Sequence, residues 1–490
     1  TAQRQDIQAR SHKETDDKID EKMLRNKLHN GAHIHFIGVG GVGLSGMARV
    51  LLQRGFRVSG SDRAGNSLTD QLRADGATVF IGHDAVNIIG ADVVTVSSAV
   101  GAGNPEIEAA HAAGIPVYKR ADIIMDVIGA GLPDMPLVIA VAGTHGKTTT
   151  ASMIAHMMIA CGLHPGYIIG GVLSSTGTNA DAGGGEFFVI EADEYDNMFH
   201  GLRYDVAVIT NLEWDHPDFF KTPDDLLASF EHFVIDSSNG GCCTVLCDDD
   251  PGIQALRARI ESRTAGLQTY GIKSAAAIRR QEDETVFTLS ETPLVVRINL
   301  PGLHNVLNAL GALQVMFILS WFESGAKRFA LESAVDALAS FHGAARRFEV
   351  MGERDGVIVV NDYAHHPTAI KATLAAAKER YPDREVWAVW QPHTYSRTQA
   401  LWRDYLSAFN DAGHVIVTDI YAAREQPTDG VDAARFVREL TVHHRHARHA
   451  ATLDEAAARL NEQVEAPAVI VIMSAGDAPI IGELFLRHQK

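Results

Sequence analysis

Lys147 and Thr148 close the run Gly143-Thr-His-Gly-Lys-Thr, where the apolar stretch "PLVIAVAG" passes into "TTTASMIAHMMIACG". Two glycines for close backbone approach, a lysine charge and a hydroxyl for a divalent cation are what a triphosphate requires. The usual G-x-x-x-x-G-K-[ST] spacing is not met, because Val141 stands where the first glycine belongs. Glu191 in "EADEYD" and His216 in "NLEWDH" each follow a further apolar run. If those runs are strands beside the phosphate loop, Glu191 and His216 meet a divalent ion next to Thr148. Mg2+ prefers oxygen donors, and a histidine ligand tolerates Mn2+ well. The plain alternative is two polar residues at strand ends.

A second glycine cluster, "GVGGVGLSGMA", fits G-x-G-x-x-G at Gly38, Gly40 and Gly43, and Asp62 ends the next apolar run 24 residues after Gly38. Such a turn aims backbone N–H groups at a diphosphate from a helix start. A dinucleotide oxidoreductase is one reading of it, but leaves Lys147 and Thr148 unexplained. A ligand-free glycine turn is another. "PGLHNVLNAL" places His304, Asn305 and Asn308 at a helix start, where capping accounts for one asparagine. Arg346, Arg347, Arg397 and Arg424 lie in "HGAARRFE", "QPHTYSRT" and "DIYAARE" and offer paired donors for phosphate or carboxylate. His365, His366 and His393 suggest a metal trio, yet no zinc-type spacing supports one, so they read as positioning groups. "TVHHRHARHA" (His443, His444, His446, His449) reads as an exposed segment.

These groups need strands to hold them. "HIHFIGVG", "FRVSGSD", "ATVFIG", "ADVVTVSSAV" and "IPVYKR" alternate with helical stretches and predict a doubly wound parallel sheet. "GAGLPDMP" breaks the pattern as a linker. A second block follows, in which the nearly all-apolar helix after Gly146 must be buried on almost every side and stops at Gly162. "EFFVIEAD", "DVAVITN" and "CCTVLC" are its strands, with a polar strand region near 280–300. In a third block "GVIVVND", "EVWAVWQ", "HVIVTDI" and "AVIVIMSAG" each run into a polar cluster, where open parallel sheets bind ligands.

With 490 residues the chain is too long for one core. A net charge of −18 argues against a general nucleic-acid surface. No apolar stretch approaches the roughly 20 residues needed to span a bilayer. The first thirty residues carry charge throughout and read as a mobile or helical extension. Cys242, Cys243 and Cys247 read as buried thiols on a strand, which fits a reducing, cytoplasmic setting.

In chain order, "HFIGVGGVGLSGMA", "GTHGKTTT", "EADE", the "DH" of "NLEWDH", "HNVLNA", "RRFE", "DYAHHPT", "QPHTYSRT" and "DIYAARE" resemble the motif series of the Mur ligase family, from about His33 to the end. The shortened loop at Gly143 is the form that family uses. The resemblance implies an α/β chain of three domains after the extension (1–30). These are a Rossmann-like UDP-binding domain (31–133), a central P-loop ATPase domain (134–342) and a Rossmann-like C-terminal domain (343–490). It implies an ADP-forming amide ligase of peptidoglycan precursor synthesis that joins L-alanine to the lactyl carboxylate of UDP-N-acetylmuramate through an acyl phosphate. ATP and Mg2+ or Mn2+ are then required, nucleic acid and membrane insertion are not, and the protein is a monomer or weak dimer. "EADEYDNMF" and "HHPTAI" also echo a sister branch that attaches a recycled tripeptide.

Carried over position by position, Gly143, Thr144, His145, Gly146, Lys147, Thr148 and Thr149 would hold ATP, with His304 and Asn308 on the adenine and Arg347 and Asp362 reaching in. Thr148, Glu191 and His216 would hold metal. Gly38, Gly40, Gly41, Gly43, Ser45, Asp62 and Ser97 would hold the UDP sugar. Tyr363, His393 and Arg397 would hold the amino acid, and His365, with Lys147, Glu191, His216 and Arg347, would be catalytic. The chain departs from the family at Asn361, Ala369 and Ser474, where an acidic residue, glutamate and glycine are expected. No counterpart of the family's carbamylated lysine stands out, Lys221 being only a nearby lysine.

Overall fold

The computed structural model describes residues 28–29, 31–281, 283–321 and 329–488, the side chains of 238–242 excepted. The charged extension therefore lies almost wholly outside the described residues. The chain divides into two compact units, of which the first takes the chain through Leu212, then Asp224–Ser274 and Asn308–Leu338. The second takes Glu213–Pro223, Ala275–Leu307 and the chain from Ala339 onward.

The first unit holds two sheets. One consists of β1 (His33–Ile37), β2 (Arg57–Asp62), β3 (Thr78–Ile81), β4 (Val93–Val96) and β5 (Val117–Lys119). Its order is β3-β2-β1-β4-β5, all parallel, so the five strands expected from sequence are all present. The order reverses between β1 and β4, and ligands of such sheets bind in that crevice. The turn of Gly38–Gly43 stands there.

Every residue of β1 is buried, including two histidines, and these need polar partners. His33 Nε2 and His35 Nδ1 both meet Ser59 Oγ at 2.8 Å. Beside them the fully buried Glu106 accepts hydrogen bonds from Ser61 Oγ and Asn87 Nδ2 at 2.6 Å each and lies 3.0 Å from His83 Nδ1. Burial alone would raise its pKa, but the nearby His35 ring and the hydrogen bonds with Ser61, Asn87 and His83 carry it down from 4.5 to about 2. A carboxylate whose pKa is depressed on folding stabilises the fold above its unfolded value and loses that contribution as pH falls toward the folded one. The wild type should therefore lose about 3 kcal/mol more between pH 5 and pH 2 than Glu106→Gln does, read from denaturant midpoints. Parallel curves for the two proteins would remove Glu106 from this role.

The second sheet of this unit holds β6 (Leu137–Ala142), β7 (Gly166–Leu173), β8 (Thr178–Asp181), β9 (Phe187–Glu191), β10 (Tyr204–Ile209), β11 (Ser238–Cys247) and β12 (Leu267–Tyr270). The order is β12-β11-β10-β6-β9-β7-β8, with β8 antiparallel at the edge. β6 is flanked by β9 and β10, so the strand that ends at Glu191 neighbours the strand that leads into the loop. The helix Lys147–Ala160 is buried at every residue from Thr148 to Met158, as its apolar surface demands. Of the three "CCTVLC" thiols, that of Cys242 lies outside the described residues. Cys247 is enclosed and burial pushes its thiol up to about 11, whereas Cys243 is half-buried. The neighbouring β12 begins opposite Thr244 and leaves Cys243 beside the open end of the pairing.

In the second unit β13 (Ala275–Gln281), β14 (Glu284–Leu289) and β15 (Val295–Ile298) form a small antiparallel sheet, the polar strand region read from sequence. The main sheet comprises β16 (Glu349–Arg354), β17 (Val357–Asp362), β18 (Glu385–Trp390), β19 (His414–Thr418), β20 (Ala447–Ala450) and β21 (Ala468–Met473). Its order is β16-β17-β21-β18-β19-β20, with only β16 antiparallel. Cores cover both faces, one around Trp390, Tyr405 and Phe436, the other around Trp387, Ile470 and Phe485. Such two-sided burial is why its central strands read as continuous apolar runs. The histidine-rich tract is exposed at Val442, His443, Arg445, His446 and Arg448, as read from sequence, but residues 447–450 form the edge strand β20 with Ala447 and Ala450 buried. His444 Nε2 lies 2.8 Å from the Ala412 carbonyl, and His449 Nε2 lies 2.7 Å from Asp419. Among the described residues no helix is long and apolar enough to cross a membrane.

Candidate active site

The loop after β6 is shaped by its neighbour β10. His145 N–H donates to Asn211 Oδ1 at 2.8 Å, Asn211 Nδ2 donates to the His145 carbonyl at 2.9 Å, and Thr144 N–H donates to the Asn211 carbonyl at 3.1 Å. Gly146 caps the following helix at φ 80°, a left-handed value that suits glycine, and the Asn308 amide fills the space a Cβ would need. Asn308 also lies 3.3 Å from Thr150 Oγ1.

Lys147 Nζ lies against Glu194, 2.9 and 2.7 Å from its two oxygens, and donates to the Gly143 carbonyl at 2.6 Å. Burial would lower its pKa, but Glu194, Asp193 and Glu191 raise it instead, so the ammonium keeps its charge. Burial pushes Glu194 up to about 7 in spite of that ammonium. Thr148 Oγ1 donates to Glu191 at 3.0 Å, and Gly170 N–H donates to the same carboxylate at 2.6 Å. A hydroxyl and a carboxylate in contact at the end of β6 and β9 are hard oxygen donors of the kind Mg2+ takes. The structure thus joins Lys147, Thr148 and Glu191 in one place.

In the first turn Gly40 N–H donates to Asp62 Oδ2 at 2.9 Å, so Asp62 closes over the glycines. Ser97 packs against Gly38, where a Cβ would stand 2.9 Å from the serine Cβ. Ser45 is buried and receives Asn179 Nδ2 at 3.2 Å, which makes it a packing group behind the turn. Gly41 N–H donates to the Gly38 carbonyl at 3.2 Å and completes the turn.

The second unit gathers its own cluster at the carboxyl ends of its strands. Asp215 and Arg397 form an ion pair at 2.6 Å, each 5% exposed. Arg397 Nη1 lies 3.1 Å from His393 Nδ1 and Nη2 lies 3.3 Å from His216 Nδ1, while His365 Nε2 stands 3.7 Å from Asp215. Burial, then Arg397 and His216, oppose each other at Asp215, and the cations hold its carboxyl well below the usual range. Burial followed by the Arg397 charge lowers His365 to about 4, and burial with His365 and Arg397 lowers His393 to about 3, so both rings are neutral at pH 7. Tyr363 meets His365 edge to face at 5.4 Å and lies under the Arg346 and Arg347 guanidinium groups at 4.9 and 5.0 Å. Asp362 accepts N–H donors from Phe348 at 2.7 Å and Ala364 at 2.8 Å. His304 packs on Gly302 in the same unit.

Three family models cover the chain in order. They are the Mur ligase family catalytic domain at residues 33–130, the Mur ligase middle domain at 141–316, and the Mur ligase glutamate ligase domain at 346–476. The UDP-N-acetylmuramate–L-alanine ligase of Desulfatibacillum aliphaticivorans is 39% identical over 463 residues, which is 93% of this chain and 98% of that protein. The chain belongs to the Mur ligase family. Among solved structures, the UDP-N-acetylmuramate-alanine ligase of Thermotoga maritima matches at TM-score 0.76 and 26% identity, covering 92% of this chain and 98% of that one. A murein peptide ligase of Psychrobacter arcticus matches at TM-score 0.67 and 25% identity, covering 93% and 98%.

In this Mur ligase some residues that the motifs grouped belong to different compact units. Thr148 and Glu191 belong to the first unit, and His216 belongs to the second with Asp215 and Arg397. Two residues singled out for no role prove central. Glu194 is the carboxylate against Lys147, and Asp215 is the anion around which Arg397 and His365 assemble. Both sat in quoted motifs, and the signal was a buried cation that needed a counter-charge. Lys221 donates to the Pro217 and Asp218 carbonyls at 3.3 and 2.7 Å. The departures also find places. Ser474 Oγ donates to Gln391 at 2.7 Å and accepts from Gly476 N–H at 2.8 Å, and Ala369 packs on the main core. Asn361 Oδ1 is buried without a hydrogen-bond partner among the described residues.

Proposed function

We propose that the protein is the ATP-dependent ligase that joins L-alanine to the lactyl carboxylate of UDP-N-acetylmuramate. The observation that carries this reading is the contact of Thr148 with Glu191 beside Lys147, in a unit whose other sheet presents its own glycine turn. A dinucleotide oxidoreductase leaves Lys147 and Thr148 without a task, whereas a ligase that activates a nucleotide-linked acid with ATP uses both turns. Asp62, which in a dinucleotide site faces a ribose, is engaged with Gly40 N–H at 2.9 Å. Relatives named for the alanine reaction support the choice of amine.

In this reading Gly38, Gly40, Gly41, Gly43 and Ser97 receive the UDP group. The amides of Gly143–Thr149 and the Lys147 ammonium receive the β- and γ-phosphates of ATP. Thr148 and Glu191 would hold Mg2+, which when bound neutralises charge on the transferring phosphoryl group. The substrate carboxylate takes the γ-phosphoryl group and becomes an acyl phosphate, and ADP leaves. The free amine then attacks the acyl carbon, and phosphate departs from the tetrahedral adduct as the amide forms. Arg397 and Tyr363 orient the amino acid, and the neutral rings of His365 and His393 stand as hydrogen-bond acceptors for its ammonium. Asn308, packed on Gly146, stands near the base. An enzyme that consumes ATP and a sugar nucleotide works in the cytoplasm.

Phosphate release from ATP in the presence of Mg2+ and UDP-N-acetylmuramate should appear when L-alanine is added. Turnover with the L-alanyl tripeptide alone would move the chain to the murein peptide branch. No turnover with either would leave a nucleotide-binding protein without ligase activity.

A further inference from the structure

A cation with unused donors stands between the two glycine turns of the first unit. Arg120 opens the helix Arg120–Gly129 directly after β5, and its side chain is 12% exposed. Its guanidinium lies flat on Gly43, where a Cβ would stand 2.7 Å from Nη1 and 3.0 Å from Cζ. Any side chain at that position would displace it. Toward the other turn, Nη2 lies 3.5 Å from the Glu191 carbonyl and Nη1 lies 3.8 Å from the Asp193 carboxylate. Those are the long edge of hydrogen bonding and a loose ion pair. A guanidinium carries five N–H donors, so most of those of Arg120 are unmet by the described residues.

Its position is fixed by what surrounds it. The preceding Lys119 pairs with Asp196 at 2.7 Å, and Ser98 Oγ donates to the same carboxylate at 2.7 Å. Asp196 belongs to the segment that follows Glu191. The strand end that carries Arg120 is thereby tied to the segment that carries Asp193 and Glu194. An anion arriving at the Gly38–Gly43 turn also meets the Asp62 carboxylate, which repels it. A positive charge on the opposite side of the turn offsets that repulsion.

We propose that Arg120 binds the diphosphate of the UDP sugar and, through its contact with the Glu191 carbonyl, sets that substrate's place relative to the Thr148–Glu191 pair. The planar fork matches two phosphate oxygens in a way a lysine ammonium does not. The inference rests on reading Gly38–Gly43 as the sugar-nucleotide turn.

The test uses the full chain and UDP itself, which carries the diphosphate and lacks the sugar and its carboxylate. Inhibition by UDP, competitive with UDP-N-acetylmuramate, is compared for the wild type, Arg120→Lys and Arg120→Met. Arg120→Met should weaken UDP roughly 10- to 100-fold and Arg120→Lys by less, with the KM values for ATP and L-alanine nearly unchanged. UDP inhibition unchanged in both variants would overturn the proposal, even if KM for the whole substrate rose, which would place Arg120 on the sugar's carboxylate. A parallel rise in the KM for ATP would show general distortion and overturn it too. Failure of UDP to inhibit the wild type would bring down the sugar-nucleotide reading of the turn itself.

Discussion

Lys147→Ala is expected to abolish ligation while leaving the affinity for the UDP sugar nearly intact. The Lys147 ammonium touches the Gly143 carbonyl at 2.6 Å and Glu194 at 2.7 Å, and three carboxylates keep it protonated. In the proposed reaction its charge faces phosphate oxygens that gain negative charge during transfer. Losing such a preorganised group should cost on the order of 10³-fold in kcat/KM for ATP. The glycine turn at Gly38 lies on the other sheet of the unit, and the Lys147 ammonium is held by Gly143, Thr144 and Glu194 instead. The substitution leaves Glu194 enclosed without its cation. Burial has already pushed that carboxyl to about 7, so it takes up a proton instead of holding an isolated charge, and the fold survives. Calorimetric titration with UDP-N-acetylmuramate, beside phosphate release, separates the outcomes. Loss of sugar-nucleotide affinity together with turnover would break the assignment of two sites.

The strands that carry these groups were legible because parallel strands buried on both faces have no choice but to be apolar throughout. "LVIAVA", "VIVVND" and "AVIVIM" declare themselves, and the polar residues at their ends mark where chemistry sits. Two edge strands were not legible. β8 reads "TNAD" and β20 reads "ARHA", and each pairs with one neighbour only and buries little more than alanine. In the site, spacing found the residues that carry charge and missed those that answer it. Lys147 and Thr148 stand out beside glycines, but nothing local says that Lys147 meets Glu194, 47 residues on, or that Asp215 meets Arg397, 182 residues on. Such pairs follow from which strand ends are neighbours, and sheet order is a long-range property. The same holds for Arg120, whose role depends on Gly43 leaving room above it.

Arg397→Ala should destabilise the second unit as well as stop turnover. The guanidinium donates to Asp215 at 2.6 Å, to the His393 carbonyl at 2.7 Å and approaches two histidine rings, all within a nearly closed environment. Its removal strands the Asp215 carboxylate, which Arg397 had held ionised against burial. Breaking a buried pair from one side costs about 3–5 kcal/mol, which for a unit of this size lowers the melting midpoint by on the order of 10 °C. Neutralising the other side relieves this. In Asp215→Asn with Arg397→Gln no charge is left unpaired, so the double variant should recover most of the lost stability, with strongly non-additive energies. It should not recover ligation, because the cation assigned to the amino-acid carboxylate is still missing. Thermal unfolding of both single variants and the double, read beside phosphate release, decides the matter. If the double variant regains stability and activity together, Arg397 is structural alone. If stability returns and activity does not, the same side chain holds the loop of Asp215 in place and serves the substrate.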